Sequence, residues 1–175
     1  MMEPADILNS ILPFLNKSIR PSVLITAGGT KEPIDEVRFI ANMSTGKTAA
    51  AIADRFIQHN WDVTYLSSPK AQMPNGVCEN LNFSWTDDLQ PQLFKLISKN
   101  NFDAVIHNAA VSDFVPVNSN KNVKITSNQD HLVLEMERTP KLVDAIREKS
   151  KNKNMRLIGF KLTATENSSI KEEKV

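Results

Sequence analysis

The chain has 175 residues, 41% of them hydrophobic, enough for one α/β domain with its own core. Its 21 basic and 20 acidic residues leave a formal charge of +1, which gives no reason to expect nucleic acid or an acidic membrane as partner. A single cysteine, Cys78, excludes an internal disulfide, and no apolar run approaches the roughly 20 residues that span a bilayer, so the cytoplasm is the expected location.

Residues 1–21 carry acidic side chains early and no basic region before a short apolar patch, a poor signal peptide. Leu8, Ile11, Leu12 and Leu15 instead share one helical face, so this stretch is expected to be an N-terminal helical extension packed on the domain or a partner. The domain proper then runs over 22–175. Val23 to Thr26 is a short β-branched strand, followed by the small-residue turn Ala27, Gly28, Gly29 and Thr30, where the backbone can bend tightly and approach a ligand. A second turn, Ser44, Thr45, Gly46 and Lys47, opens an amphipathic helix from Thr48 to His59. Hydroxyls, free backbone N–H groups and a lysine at a helix N-terminus suit an anion.

A second strand, Trp61 to Leu66, completes a β-α-β unit and ends at Ser67, Ser68 and Pro69. Asn80 to Ser84 is a short third strand, and Asp87 to Ser98, with Leu89, Leu93 and Leu96 in helical spacing, is a helix capped near Thr86. Ala104 to His107 is a fourth strand running into AAVSDF. Val123 to Thr126 and Leu132 to Glu137 flank the polar turn Ser127-Asn128-Gln129-Asp130 and read as an antiparallel hairpin, a candidate flap. Thr139 and Pro140 then suit the cap and first position of a helix from Lys141 to Glu148, and Met155 to Phe160 is the last clear strand. The expected fold class is α/β: a Rossmann-like open, mainly parallel sheet with helices on both faces plus an antiparallel hairpin flap.

Four loops, AGGT, SSP, NAAVSDF and KLTAT, follow strand carboxyl ends, where an open parallel sheet binds its ligand. Asp113 is the only carboxylate in its loop; it either caps a turn or offers an oxygen to a ribose or a divalent cation. A dinucleotide oxidoreductase is disfavoured, because Gly28 and Gly29 are adjacent, no G-x-G-x-x-G occurs, and the only tyrosine, Tyr65, lies within an expected strand. Ser44-Thr45-Gly46-Lys47-Thr48 likewise lacks the upstream glycine of a Walker loop.

The blocks AGGTKEPIDEVRFIANMSTGK, AAVSDFVP, VKITS with LVLEMERTPKLVDAI, and LIGFKLTAT resemble, in order, the phosphopantothenoylcysteine synthetases of coenzyme A biosynthesis, in their stand-alone form. The similarity covers Ser22 to Glu166. It implies ligation of 4′-phosphopantothenate to L-cysteine through an acyl nucleotide, with CTP as first choice of co-substrate, ATP as second, and Mg²⁺. On this match Asn42 handles the acyl-nucleotide intermediate and Lys124 acts in nucleotide activation. Arg38 and Asn42 bind phosphopantothenate. Gly28, Gly29, Thr30, Ser44, Thr45, Gly46, Lys47, Ala109, Ala110, Asp113, Phe114, Phe160 and Lys161 bind nucleotide, and Asp113 meets the metal through the Mg-triphosphate. Without the match, Lys124 would be one strand lysine among many, Asn42 a loop asparagine, and Arg38 a surface partner of Asp35 or Glu36.

The resemblance further implies a homodimer. Two departures from the family pattern matter. No flavin-dependent decarboxylase precedes the synthetase blocks, so neither flavin nor decarboxylation is expected. The elements the family adds after the KLTAT loop are missing, which reads as a domain incomplete at its C-terminus. A nucleotide-binding fragment or module without ligase activity is therefore the alternative reading.

Overall fold

The computed structural model describes residues 20–117, 119, 123–126, 128 and 130–161. The expected N-terminal helix and most of the KLTAT loop lie outside the described residues. A five-stranded, wholly parallel sheet contains β1 (Ser22–Ala27), β4 (Asp62–Ser67), β5 (Glu79–Asn82), β6 (Ala104–His107) and β9 (Arg156–Gly159), in the order β5-β4-β1-β6-β9. From β1 the chain moves outward to β4 and β5, then returns to β6 on the other side of β1. The direction of winding thus reverses between β1 and β6, and the crevice at the carboxyl ends of these two strands is where an open α/β sheet holds its ligand.

Alternation along β1 sends Val23, Ile25 and Ala27 to one face and Leu24 to the other. The first face is covered by α1 (Lys47–Gln58), whose Ala49 and Ala53 join the core cluster containing Tyr65 and Ile106. Small side chains here let helix and sheet approach closely. On the second face α2 (Thr86–Lys99) and α3 (Leu142–Lys149) bury Leu89, Leu93, Ile97, Leu142 and Ile146 against Leu24, Leu66 and Val105. Helices therefore cover both faces, as expected.

Two small antiparallel pairs stand apart from the sheet. β2 (Lys31–Pro33) pairs with β3 (Phe39–Ala41), a hairpin the sequence pattern does not announce. β7 (Phe114–Pro116) pairs with β8 (Met136–Arg138). The expected flap is thus corrected: its second strand survives at Met136 and Glu137, but its partner is Phe114–Pro116 and not Val123–Thr126. The cause is the Ser112–Asp113 turn, which Thr139 fixes through its N–H to the Asp113 carbonyl (2.9 Å) and its hydroxyl to the Ser112 carbonyl (2.5 Å). That contact also moves the start of α3. With its hydroxyl spent on Ser112, Thr139 does not cap the helix, which begins at Leu142 after Lys141. Thr86 likewise lies within α2 rather than before it. Its hydroxyl donates to Glu32 (2.5 Å), while Asp88 Oδ2 reaches back to the N–H groups of Ser84 and Trp85.

Candidate active site

The β1 and β6 loops are joined residue by residue at the reversal point. The Ala110 N–H donates to the Gly28 carbonyl (2.8 Å), and the Thr30 N–H donates to the Ala110 carbonyl (3.1 Å). Asn42 Nδ2 donates to that same Ala110 carbonyl at 3.1 Å. Thr30 is fully buried, and its hydroxyl accepts the Ser112 N–H (3.0 Å) beside the Ser112 hydroxyl (3.1 Å). Deeper in the crevice the Thr26 hydroxyl accepts the Ala109 N–H (3.1 Å) and lies 2.9 Å from His107 Nδ1. Burial pushes the His107 pKa down to about 4, so the imidazole is neutral at physiological pH.

The glycines of both turns serve chain packing first. A Cβ on Gly28 would lie 2.0 Å from Ser68 Oγ and 2.9 Å from the Ala71 Cβ; one on Gly46 would lie 2.8 Å from the same Ala71 methyl. The segment after β4 therefore wedges between the two turns, held by the Ser68 N–H on the Ala27 carbonyl (3.0 Å) and the Gln72 N–H on the Thr45 carbonyl (2.9 Å). A Cβ on Gly29 would meet the Asn42 carbonyl oxygen at 2.5 Å. The protein's own backbone and side chains thus leave no room for a Cβ at these three glycines. Gly46 ends its turn in a left-handed conformation (φ 71°) with no side-chain cap on α1, and Thr45 and Lys47 are exposed beside it. An uncapped helix N-terminus carries free N–H groups and the positive end of the helix dipole.

Asp113 and Phe114 line a cavity of about 430 Å³ together with Arg138, Thr139, Pro140, Lys141 and Asp144. The Arg138 guanidinium lies 6.0 Å from the centre of the Phe114 ring. Sequence reasoning found Asp113 and Phe114 but took Thr139, Pro140 and Lys141 only as a helix start. A threonine-proline-lysine run beside an arginine was the available signal. Phe160 and Lys161 leave β9 one residue after Gly159, which is in register with His107, so they emerge at the carboxyl edge of the sheet. Among the described residues no group of three or more His, Cys, Asp or Glu could hold a metal ion.

Arg38 is paired with Asp35, as the plainer reading of the sequence has it, with the acid buried and the guanidinium side chain 40% exposed. The Asp35 side chain is buried, and Arg38 Nε (2.9 Å) and Nη2 donate to its Oδ2. Hydrogen bonds from Arg38, then from the N–H groups of Val37, Ile125 and Arg38, hold the Asp35 carboxyl well below the usual range. Lys124, five strands further along the chain, sits exposed beside Ile125 and lies in no strand itself.

A family model described as the DNA/pantothenate metabolism flavoprotein C-terminal domain, DFP, matches residues 19–175. The chain belongs to this family. The coenzyme A biosynthesis bifunctional protein CoaBC of Thermococcus kodakarensis is 37% identical over 139 residues, covering 79% of this chain and 33% of that protein. This DFP domain thus spans about one third of the length of the curated relatives it matches. Among solved structures, the DNA/pantothenate metabolism flavoprotein from Streptococcus pneumoniae is 28% identical with a TM-score of 0.70, covering 81% of this chain and 69% of that one. A mutant of Cab2, solved in complex with phosphopantothenate-cysteine, shares the fold at TM-score 0.73 and 22% identity, covering 93% of this chain and 70% of that one. Family and Rossmann-like fold therefore agree with the motif blocks. No helix among the described residues is long and apolar enough to cross a membrane.

Proposed function

We propose that this DFP domain ligates 4′-phosphopantothenate to L-cysteine by way of an acyl nucleotide, with Mg-CTP as co-substrate and Mg-ATP as the alternative. The observation that carries the reading is the Asn42 carboxamide bonded to the Ala110 carbonyl, at the point where the sheet's winding reverses. It puts the synthetase motif's asparagine against the loop expected to hold the nucleotide.

In the first step a phosphopantothenate carboxylate oxygen attacks the α-phosphorus and pyrophosphate leaves. Like charges oppose that attack, so cationic and N–H donors must be in place beforehand. Lys124 and the open end of α1 at Ser44 to Lys47 supply them, and Asp113 would offer a carboxylate oxygen to a magnesium ion, which would neutralise charge on the phosphate oxygens. The base and ribose occupy the region of Ala109, Ala110, Phe114 and Phe160, with the cavity lined by Arg138 and Lys141 extending it. In the second step the cysteine amine attacks the acyl carbonyl, the nucleoside monophosphate leaves, and the amine proton passes to solvent. One Asn42 N–H stays on Ala110 while the other donates to the acyl oxygen as negative charge builds there, worth on the order of 3 kcal/mol. Arg38 has Nε and Nη2 engaged, so a substrate phosphate meets its Nη1 edge. The exposed side chains of Val37, Phe39, Ile40 and Met43 beside these residues support a homodimer.

The test is direct. The purified chain, incubated with 4′-phosphopantothenate, cysteine, Mg²⁺ and either CTP or ATP, is expected to release pyrophosphate and form phosphopantothenoylcysteine. Asn42→Asp should accumulate the acyl nucleotide, and Lys124→Gln should block its formation. Nucleotide binding without turnover would leave a nucleotide-binding module and sink the ligase reading.

A further inference from the structure

Residues 123–126 form no regular structure, yet the backbone of Ile125 is held at both ends of its peptide groups. Its N–H donates to Asp35 Oδ2 at 3.1 Å, and its carbonyl accepts from Arg38 Nη2 at 3.0 Å. Among the described residues these are the hydrogen bonds that join 123–126 to the body of the domain. Asp35 in turn is buried and braced from its own loop: Oδ1 accepts the N–H groups of Val37 (3.0 Å) and Arg38 (2.7 Å), and the β2–β3 hairpin closes around it through the Ile34 and Asp35 N–H groups on the Arg38 carbonyl. A carboxylate and a guanidinium locked to each other thus present one acceptor and one donor, spaced to read a single residue of extended backbone. The residue they read adjoins Lys124.

We propose that Asp35 is a positioning residue for nucleotide activation: with Arg38 it clasps Ile125 and so fixes where Lys124 stands. This rests on the reading of Lys124 as the activating lysine. A lysine is a flexible point charge, and its effect on a developing charge depends on where its backbone is anchored. With its guanidinium side chain 40% exposed, the ion pair adds little stability of its own. Its extra donor and acceptor are aimed at a segment for which, among the described residues, these are the hydrogen bonds to the domain body. The clasp also links the two halves of the proposed site, because Arg38 and Asn42 lie on one hairpin while Lys124 belongs to a segment some 80 residues later.

The experiment is a double-mutant cycle on pyrophosphate release in single turnover, using the full chain. Asp35→Asn keeps the volume but replaces one acceptor oxygen with a donor facing Ile125 or Arg38. It is expected to slow acyl-nucleotide formation on the order of 10- to 100-fold, and to add little further loss in a Lys124→Gln background. Independent, multiplicative losses in the double variant would make Asp35 a merely structural residue and overturn the proposal. A normal rate in Asp35→Asn would do the same. Normal activation by Lys124→Gln alone would instead overturn the reading of Lys124. If Asp35→Asn does not fold, amide exchange in the wild-type chain decides: the Ile125 N–H should be protected while those of Lys124 and Thr126 exchange freely, and exchange of all three at one rate would refute the clasp.

Discussion

Replacing Gly28 by alanine should destabilise the domain by about 2–5 kcal/mol, from two separable causes. Gly28 has φ +82°, a left-handed conformation that costs an L-residue roughly 1–2 kcal/mol. The added methyl would also lie 2.0 Å from Ser68 Oγ and 2.9 Å from the Ala71 Cβ. Overpacking of this kind typically costs about 1–3 kcal/mol. The Ser68 hydroxyl can rotate away, but the Ala71 methyl is fixed to its backbone and cannot. Urea unfolding followed by circular dichroism is the assay. With a slope of about 1–3 kcal/mol per molar, the midpoint should fall by on the order of 1 M at unchanged slope. Ser68→Ala in the Gly28→Ala background should recover part of the loss and leave at least ~1 kcal/mol. Gly159→Ala is the control: its Cβ would meet only Val143 Cγ2, at 3.3 Å, without a positive φ, and it should cost under about 1 kcal/mol. A Gly28→Ala midpoint within ~0.5 kcal/mol of wild type, or full recovery in the double variant, would refute this account of the turn.

His107 is neutral when folded, with a pKa near 4 against 6.5 in the unfolded chain, so the unfolded state binds the extra proton as pH falls from about 6.5 to 4. Stability should therefore drop over that window by roughly 3 kcal/mol on account of this residue, and His107→Asn should lose that part of the pH dependence in denaturant titrations at pH 7 and pH 4. Leu93→Ala empties a fully buried position between α2 and the sheet and should cost about 2–5 kcal/mol, read from the urea midpoint; a change under ~1 kcal/mol would mean the core relaxes around it. The Cys78 thiol is pushed up by burial and then by the Asp54 charge, so its alkylation by iodoacetamide at pH 8 should be slower than that of a free cysteine and should speed up in urea.

The blocks that carry the family resemblance and the individual elements were legible because both are local. Val23, Ile25 and Leu24 alternate between two buried faces, and Leu89 and Leu93 repeat at helical spacing, so each segment announces its own period. Element ends were less legible wherever a side chain worked at long range. Thr139 and Thr86 had the chemistry of caps, but their hydroxyls were taken by Ser112 and Glu32, 27 and 54 residues away. The VKIT alternation reads as a strand, yet the backbone of its Ile125 is bonded by the Asp35 and Arg38 side chains rather than by a neighbouring strand. The pattern of two glycine turns was plain, whereas the Ala71 methyl that both turns rest on carries no mark in the sequence.

Sequence by itself determined the class of the domain, the strands of its parallel sheet and the helices that cover it, and, through the family resemblance, Asn42, Lys124 and Asp113 as residues to place in a site. Only the tertiary structure decided that β6 lies beside β1, which makes the crevice, and that Ala110 receives both Thr30 and Asn42 there. The reason is physical. Periodicity and turn chemistry act over a few residues and are written into neighbouring letters. Strand order, and hydrogen bonds such as Thr26 to His107 across 81 residues, depend on which surfaces meet once the whole core has formed.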